Sequence, residues 1–267
     1  MAGTAMPLQS SGLGAPDNSR LQFQPIMDVE LQPDESLDDL LHGELKLIQK
    51  KGGYRYSVDA LLLSSFALPF ARDQAVLDMG AGTGVVALIL AKRGNPRRVV
   101  GVEIQKGLSG LAKRNSELNR TTPRVEIIHG DACQISLDFP AGTFDLIVSN
   151  PPFFANDTGH VSPNQEKALA RHEIAMSLRC WLAEAKKLLA PGGRIMIVFP
   201  ADQEDRLVNT ATGVGLYLAR RQYALDRPGG SRKFILADFR SESSKVQDLP
   251  DVPIETPAGK FSLDGYK

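Results

Sequence analysis

The chain has 267 residues, 42% hydrophobic and 23% charged, with Lys+Arg and Asp+Glu balanced at 31 each. That suits a globular protein of one large or two small α/β domains, and the zero net charge leaves nucleic-acid contact to a local patch if there is one. No apolar run approaches the roughly 20 residues that span a membrane, and the N-terminus lacks the basic start and apolar core of a signal peptide, so a cytoplasmic enzyme is expected.

Residues 1–36 are rich in Gly, Pro, Ser and Gln without sustained periodicity, which predicts a disordered tail. A catalytic domain is expected over 37–240, with 37–72 forming a cap over its cofactor site, followed by a polar C-terminal tail over 241–267 where Gly259-Lys260-Phe261 could pair locally. Within the cap, Glu44 to Gln49 alternates in strand fashion, and Gln49 to Tyr56 is a turn-rich basic and aromatic loop. Ser57 is placed as the N-cap of a helix from Val58 to Phe66, with Asp59 at its positive end and Pro69 closing it.

A run of βα units follows: strand Ala75–Met79, helix Val85–Arg93, strand Arg98–Glu103, helix Lys106–Leu118, and strands Val125–His129 and Phe144–Ser149. An apolar-periodic helix from Ser177 to Leu189 is ended by Pro191-Gly192-Gly193, then come strand Arg194–Phe199 and a short helix from Asp202 to Thr212. Tyr217–Leu225 and Arg232–Phe239 form a closing hairpin about the turn Asp226 to Gly230. This alternation predicts a mostly parallel seven-stranded sheet with helices on both faces and a C-terminal antiparallel hairpin. Cys133 and Cys180 lack a CxxC spacing and read as small core residues, without a disulfide or zinc site. His42, His129 and His160 share no ligand spacing, so no metal is implied.

Two loops carry the chemistry. Val76-Leu77-Asp78-Met79-Gly80-Ala81-Gly82-Thr83-Gly84 is a buried strand breaking into a glycine turn that opens a helix, so the backbone can approach a ligand closely. It is not the dinucleotide GxGxxG, because an acid precedes the glycines: Asp78 would repel a pyrophosphate but suits the ammonium of a methionine moiety. Glu103, followed by Ile104, ends the next strand about twenty residues on, where a carboxylate takes ribose hydroxyls. Asp131, followed by Ala132, ends the third, where it can accept from an adenine amino group. Amine, ribose and adenine together specify S-adenosylmethionine.

The second loop, Asn150-Pro151-Pro152-Phe153, resembles the [Asn/Asp/Ser]-Pro-Pro-[Tyr/Phe] loop of methyltransferases that modify exocyclic or amide nitrogens. The chemistry accounts for the composition. An aromatic amine is a poor nucleophile until two acceptors, here the Asn150 side-chain oxygen and the Pro151 carbonyl, take its hydrogens and let the nitrogen pyramidalise. Proline fixes φ and presents that carbonyl rigidly. Phe153 would stack on the target ring, and Asn150 is also expected to touch the cofactor. Most of the rate would come from in-line alignment with the sulfonium.

The segment from Gln49 to Leu63, the Asn-Pro-Pro-Phe-Phe loop ending at Phe154, and Ala170-Arg171-His172-Glu173 are similar to bacterial tRNA adenine-N6 methyltransferases acting on a valine tRNA. The resemblance spans roughly 38–239. It implies a Rossmann-like class I methyltransferase, a tRNA substrate methylated in the anticodon loop, and a cofactor pocket closed by Tyr54, Arg55 and Ser57. RNA phosphates would meet local basic groups: Lys50, Lys51, Lys167, Arg171, and above all Arg220, Arg221, Arg227, Arg232 and Lys233. His172 reads as a helix-start residue or an RNA contact. Ribosomal RNA guanine-N2 methylation and protein glutamine-N5 methylation stay open as alternatives.

Overall fold

The computed structural model describes residues 29–151, 178–256, 259–261 and 263. A nine-stranded sheet carries the fold, in the order β10 (Gln247–Asp248), β8 (Tyr217–Leu225), β9 (Arg232–Arg240), β7 (Leu189–Pro200), β6 (Phe144–Ser149), β3 (Ala75–Met79), β4 (Arg98–Glu103) and β5 (Val125–His129), with β11 (Val252–Pro253) also paired to β8. Its parallel part is β3 (Ala75–Met79), β4 (Arg98–Glu103), β5 (Val125–His129), β6 (Phe144–Ser149) and β7 (Leu189–Pro200). Strands β8 (Tyr217–Leu225) and β9 (Arg232–Arg240) pair antiparallel with each other, and β9 runs antiparallel to β7. The seven expected strands and their hairpin are therefore present. Helices α1 (Val58–Ala67), α2 (Val85–Gly94) and α3 (Lys106–Leu118) lie on one face, and α4 (Leu178–Leu188) and α5 (Glu204–Gly213) cover the other.

Strand alternation explains the two cores. Val76, Leu146, Val148, Met196 and Val198 pack under α1 and α2, while Leu77, Ile147, Ile195 and Ile197 pack under Trp181, Leu182 and Leu207. With both faces covered, the parallel strands can be apolar throughout.

Several boundaries differ from the sequence reading. Strand β1 (Glu35–Leu40) begins inside the segment read as tail and pairs antiparallel with β2 (Leu45–Lys50); residues 1–28 lie outside the described residues. Pro191-Gly192-Gly193 does not separate a helix from a strand. It is a bulge within β7, which starts pairing at Leu189 and shifts register opposite Phe144 and Leu146. The segment read as a polar tail extends the sheet: β10 (Gln247–Asp248) and β11 (Val252–Pro253) run parallel to β8, and Leu249, Val252 and Ile254 pack on the core. At its end β12 (Glu255–Thr256) pairs with β13 (Gly259–Lys260). Cys133 and Cys180 are not separate core residues but are joined as a disulfide, with Cα atoms 5.8 Å apart. A separation of 47 residues gave no framework spacing to read. Among the described residues no helix is long and apolar enough to cross a membrane, and no cluster of His, Cys, Asp or Glu could hold a metal ion.

Candidate active site

Strand order places the two chemical loops side by side. From β3 the chain moves outward to β4 and β5 on one side, and β6 and β7 lie on the other, so β3 and β6 flank the topological switch point where open α/β sheets bind ligands. The buried Ser149 hydroxyl donates to the Met79 carbonyl at 2.6 Å, tying the carboxyl ends of the two strands together. The glycine loop and Asn150 therefore leave from adjacent, cross-linked positions.

The glycine loop is stitched to β4. The backbone N–H groups of Gly80 and Ala81 both donate to the Val102 carbonyl at 2.9 Å, and the Gly82 N–H donates to the Glu103 carboxylate at 2.9 Å. Glycine is required at two points here. Gly82 has φ +57°, and a Cβ there would lie 3.0 Å from the Tyr54 ring; Gly84, at φ +84°, begins α2 against Ala112, 3.2 Å from where its Cβ would be. Tyr54 is thus packed directly over the loop.

Asp78 lies in β3, Glu103 ends β4 and Asp131 follows β5, and each carboxylate also bonds the backbone. Asp78, 1% exposed, accepts the Ala87 N–H at 3.1 Å in the first turn of α2. Burial pushes its carboxyl up to about 7, partly offset by that hydrogen bond, and the nearby Glu103 charge adds to the rise. Glu103 uses its other oxygen for the Gln105 N–H at 2.8 Å, and burial also raises its pKa. The Tyr54 hydroxyl is driven up by desolvation and by the charges of Asp59, Glu103 and Asp78. These acidic groups converge around the glycine loop, and among the described residues no Lys or Arg forms an ion pair with Asp78 or Glu103, an environment that fits a ligand bearing an ammonium and a sulfonium. Asp131 caps its own turn by accepting the Cys133 N–H at 2.8 Å, Ala132 beside it is buried, and Ile104 is exposed next to Glu103. Both Asp131 and Ile104 thus stand at the strand ends beyond Glu103.

Two of the expected cofactor contacts have other partners. Arg55 gives its guanidinium to Asp38 at 2.5 Å, to the Ser36 hydroxyl at 2.9 Å and to the Lys50 carbonyl at 3.2 Å, so it clamps the β1–β2 hairpin. Ser57 occupies the N-cap position of α1 without a capping bond. Its hydroxyl donates to Asp59 instead, whose carboxylate accepts the Ala60 N–H at 2.8 Å.

At the end of β6, the Asn150 Oδ1 atom is buried and has no hydrogen-bond partner among the described residues, and Pro151 is buried beside it. A buried carbonyl without a partner is costly, and an amino hydrogen of a bound group would satisfy it. Pro152, Phe153, His160, Lys167 and the segment Ala170-Arg171-His172-Glu173 lie outside the described residues.

Sequence reasoning missed a pair of amides. Asn115 on α3 and Asn119, the C-cap of that helix one turn on, bond the edge of β2 as a neighbouring strand would. Asn119 accepts from the Lys46 N–H at 2.8 Å and donates to the Lys46 carbonyl at 2.7 Å; Asn115 accepts from the Ile48 N–H at 2.7 Å and donates to the Ile48 carbonyl at 3.2 Å. Asn115 also donates to the Thr83 carbonyl at 2.9 Å, so the cap, α3 and the glycine loop share one buried side chain. The available signal was a fully buried amide in the apolar stripe of Leu108, Leu111 and Leu118.

A doubly wound sheet with an acidic glycine loop at its switch point, and beside it a buried Asn150 Oδ1 that has no partner among the described residues, has the form of an S-adenosylmethionine-dependent methyltransferase. The comparisons agree: the methyltransferase small domain model matches residues 57–211, and the chain belongs to that family. Its relatives include proteins named tRNA1(Val) (adenine(37)-N6)-methyltransferase from Porphyromonas gingivalis, 33% identical with 79% of this chain and 85% of that one covered, and from Bacteroides thetaiotaomicron, 33% identical with 71% and 78% covered. Among solved structures, a predicted O-methyltransferase from Agrobacterium tumefaciens shares the fold at TM-score 0.57 and 18% identity, over 76% of this chain and 91% of that one.

Proposed function

We propose that the protein methylates the N6 amino group of an adenosine in tRNA, acting in the cytoplasm. One observation carries the reading to nitrogen: the buried Asn150 Oδ1 beside the glycine loop, which has no partner among the described residues. It supplies an acceptor for one amino hydrogen, and the Pro151 carbonyl supplies the other. S-adenosylmethionine, when bound, provides an electrophilic methyl group. The chain's part is to hold the amine lone pair in line with that methyl and to let the nitrogen pyramidalise, a matter of positioning and preorganised acceptors. Asp78, Glu103 and Asp131 are assigned to the amine, ribose and adenine of the cofactor, with Tyr54 over the glycine loop; Pro152 and Phe153 complete the substrate loop. Support for adenosine in tRNA comes from the relatives' names and from the Asn-Pro-Pro-Phe-Phe sequence.

The test is methyl transfer from labelled S-adenosylmethionine to bulk tRNA and rRNA from cells lacking the gene, followed by nucleoside analysis. N6-methyladenosine in tRNA is expected. N2-methylguanosine in rRNA would assign the chain to the guanine-N2 enzymes instead.

A further inference from the structure

The basic residues between Arg220 and Lys233 do not form one patch. Arg220 and Arg221 are neighbours on β8 and point to opposite faces. Arg220 lies over the Phe66 ring at 4.5 Å, donates to the Phe66 carbonyl at 3.3 Å and sits 3.4 Å from the buried Asp238 carboxylate. Arg221 bonds Glu204 at 2.7 Å and Asp248 at 2.6 Å. Both are committed to the fold.

The turn beyond them is different. Arg227, Arg232 and Lys233 are exposed, and none of the three forms an ion pair among the described residues; Arg232 lies over the Tyr223 ring at 3.7 Å, and Lys233 is the extra residue of a bulge between the pairs Leu225–Arg232 and Ala224–Phe234, so strict alternation does not set these two neighbours on opposite faces. The turn is well braced. Asp226 accepts the Arg227 N–H at 2.8 Å and the Ser231 hydroxyl at 3.2 Å, which directs its charge into the turn. The C-terminal segment is fastened alongside through the Ile254 and Glu255 N–H groups, which donate to the Leu225 and Asp226 carbonyls at 2.7 and 3.1 Å. Asp226, whose charge interacts with that of Arg227, and exposed Glu255 are acidic neighbours that partly offset these cations.

The register gives the turn's position. Ser149 is level with Ile197 and hence with Ala237, and β9 reaches the turn at Arg232. At about 3.3 Å per residue the turn begins about 16 Å beyond the catalytic edge of the sheet, and about 10 Å to the side of β6, away from the glycine loop. The turn thus projects beyond the same edge of the sheet at which Asn150 lies.

We propose that the β8–β9 turn is a phosphate-gripping arm, in which Arg227, Arg232 and Lys233 hold the RNA backbone a few nucleotides from the methylated base. This rests on RNA being the substrate. Point-charge contacts to phosphate position the strand without reading its sequence. With Pro228 and Gly229 at its tip the arm offers no apolar wedge for a lipid surface.

The experiment uses the full chain carrying Arg227→Ala and Lys233→Ala together. The salt dependence of tRNA binding is followed by fluorescence anisotropy, alongside KM for tRNA and the cofactor Kd. The slope of log affinity against log salt should fall by about 1.4 to 1.8. KM for tRNA should rise about tenfold with the cofactor Kd unchanged, and the charge-conserving pair Arg227→Lys and Lys233→Arg should restore both. An unchanged slope and KM in an enzyme whose parent methylates tRNA would overturn the arm and leave the proposed function standing. A parent that methylates no tRNA would instead strike the proposed function, and the arm with it. Equal loss of binding to anionic phosphatidylserine vesicles, with tRNA binding intact, would also overturn the arm.

Discussion

The side-chain amide of Asn115 donates to the Thr83 carbonyl 2.9 Å away while bonding both backbone groups of Ile48, so a single side chain couples the cap hairpin to the cofactor loop. Replacing it with alanine leaves several buried backbone groups unpaired, each costing about 1–3 kcal/mol. Asn115→Ala should lower Tm by roughly 10 °C, at about 2–4 °C per kcal/mol for a domain of this size. It should also raise KM for S-adenosylmethionine about tenfold while leaving kcat at saturation within about twofold. Asn119→Ala, which removes the Lys46 bonds but touches no part of the loop, should cost less stability and leave that KM unchanged. Steady-state kinetics of the two variants separate a role in the loop from general destabilisation.

Asp78 gives the site a pH dependence of definite sign. Its folded pKa of about 7 lies above the unfolded value of 3.8, so between those limits the native state holds a proton that the unfolded chain has released. The stability of the ligand-free protein should therefore fall as pH rises from about 4 to 7 and level off above, with Glu103 contributing in the same direction. Binding a cationic amine beside Asp78 favours the carboxylate. Cofactor affinity should accordingly increase from pH 6 to 8, with proton release on binding below pH 7. Asp78→Asn, which can still accept the Ala87 N–H, should flatten both profiles in calorimetry across buffers of different ionisation enthalpy.

Asp238 is fully buried, with Arg220, Arg194 and Arg240 at 3.4, 4.0 and 3.7 Å. Neutralising it leaves three guanidiniums facing one another at a partly buried site, and breaking a buried pair in this way costs about 3–5 kcal/mol. Asp238→Asn should thus lower Tm by about 10 °C or more in thermal unfolding, without altering cofactor affinity at a temperature where it remains folded. A charge reversal at Arg220 would show the same folding defect, which makes that residue a poor probe of RNA binding.

The parts of this fold that the sequence shows are those set by local rules. The positive φ at Gly80, Gly82 and Gly84, the apolar strands and the period of α3 each follow from a few adjacent residues. Strand β1 escaped because its acidic alternation, Glu-Ser-Leu-Asp-Asp-Leu, takes its meaning from Arg55 and Arg114, which bond it from 17 and 79 residues away. The two-residue strands β10 and β11 are too short to carry a period and are visible only against β8. The arginines could have been sorted from the sequence alone, since strand alternation forbids Arg220 and Arg221 from sharing a face. Arg55 had no such signal, because its Asp38 partner lies on a strand that the sequence reading left out.

The reading of Asn150 as amine acceptor is tested most directly by comparing cofactor affinity and methyl transfer in Asn150→Ala. Its Oδ1 is buried and unpartnered among the described residues, and removal of a preorganised transition-state group typically costs about 10²–10³ in kcat. The expected result is a calorimetric Kd for S-adenosylmethionine within a few-fold of the parent, with turnover on tRNA reduced at least about a hundredfold. Turnover within tenfold of the parent, with the cofactor bound normally, would contradict the account.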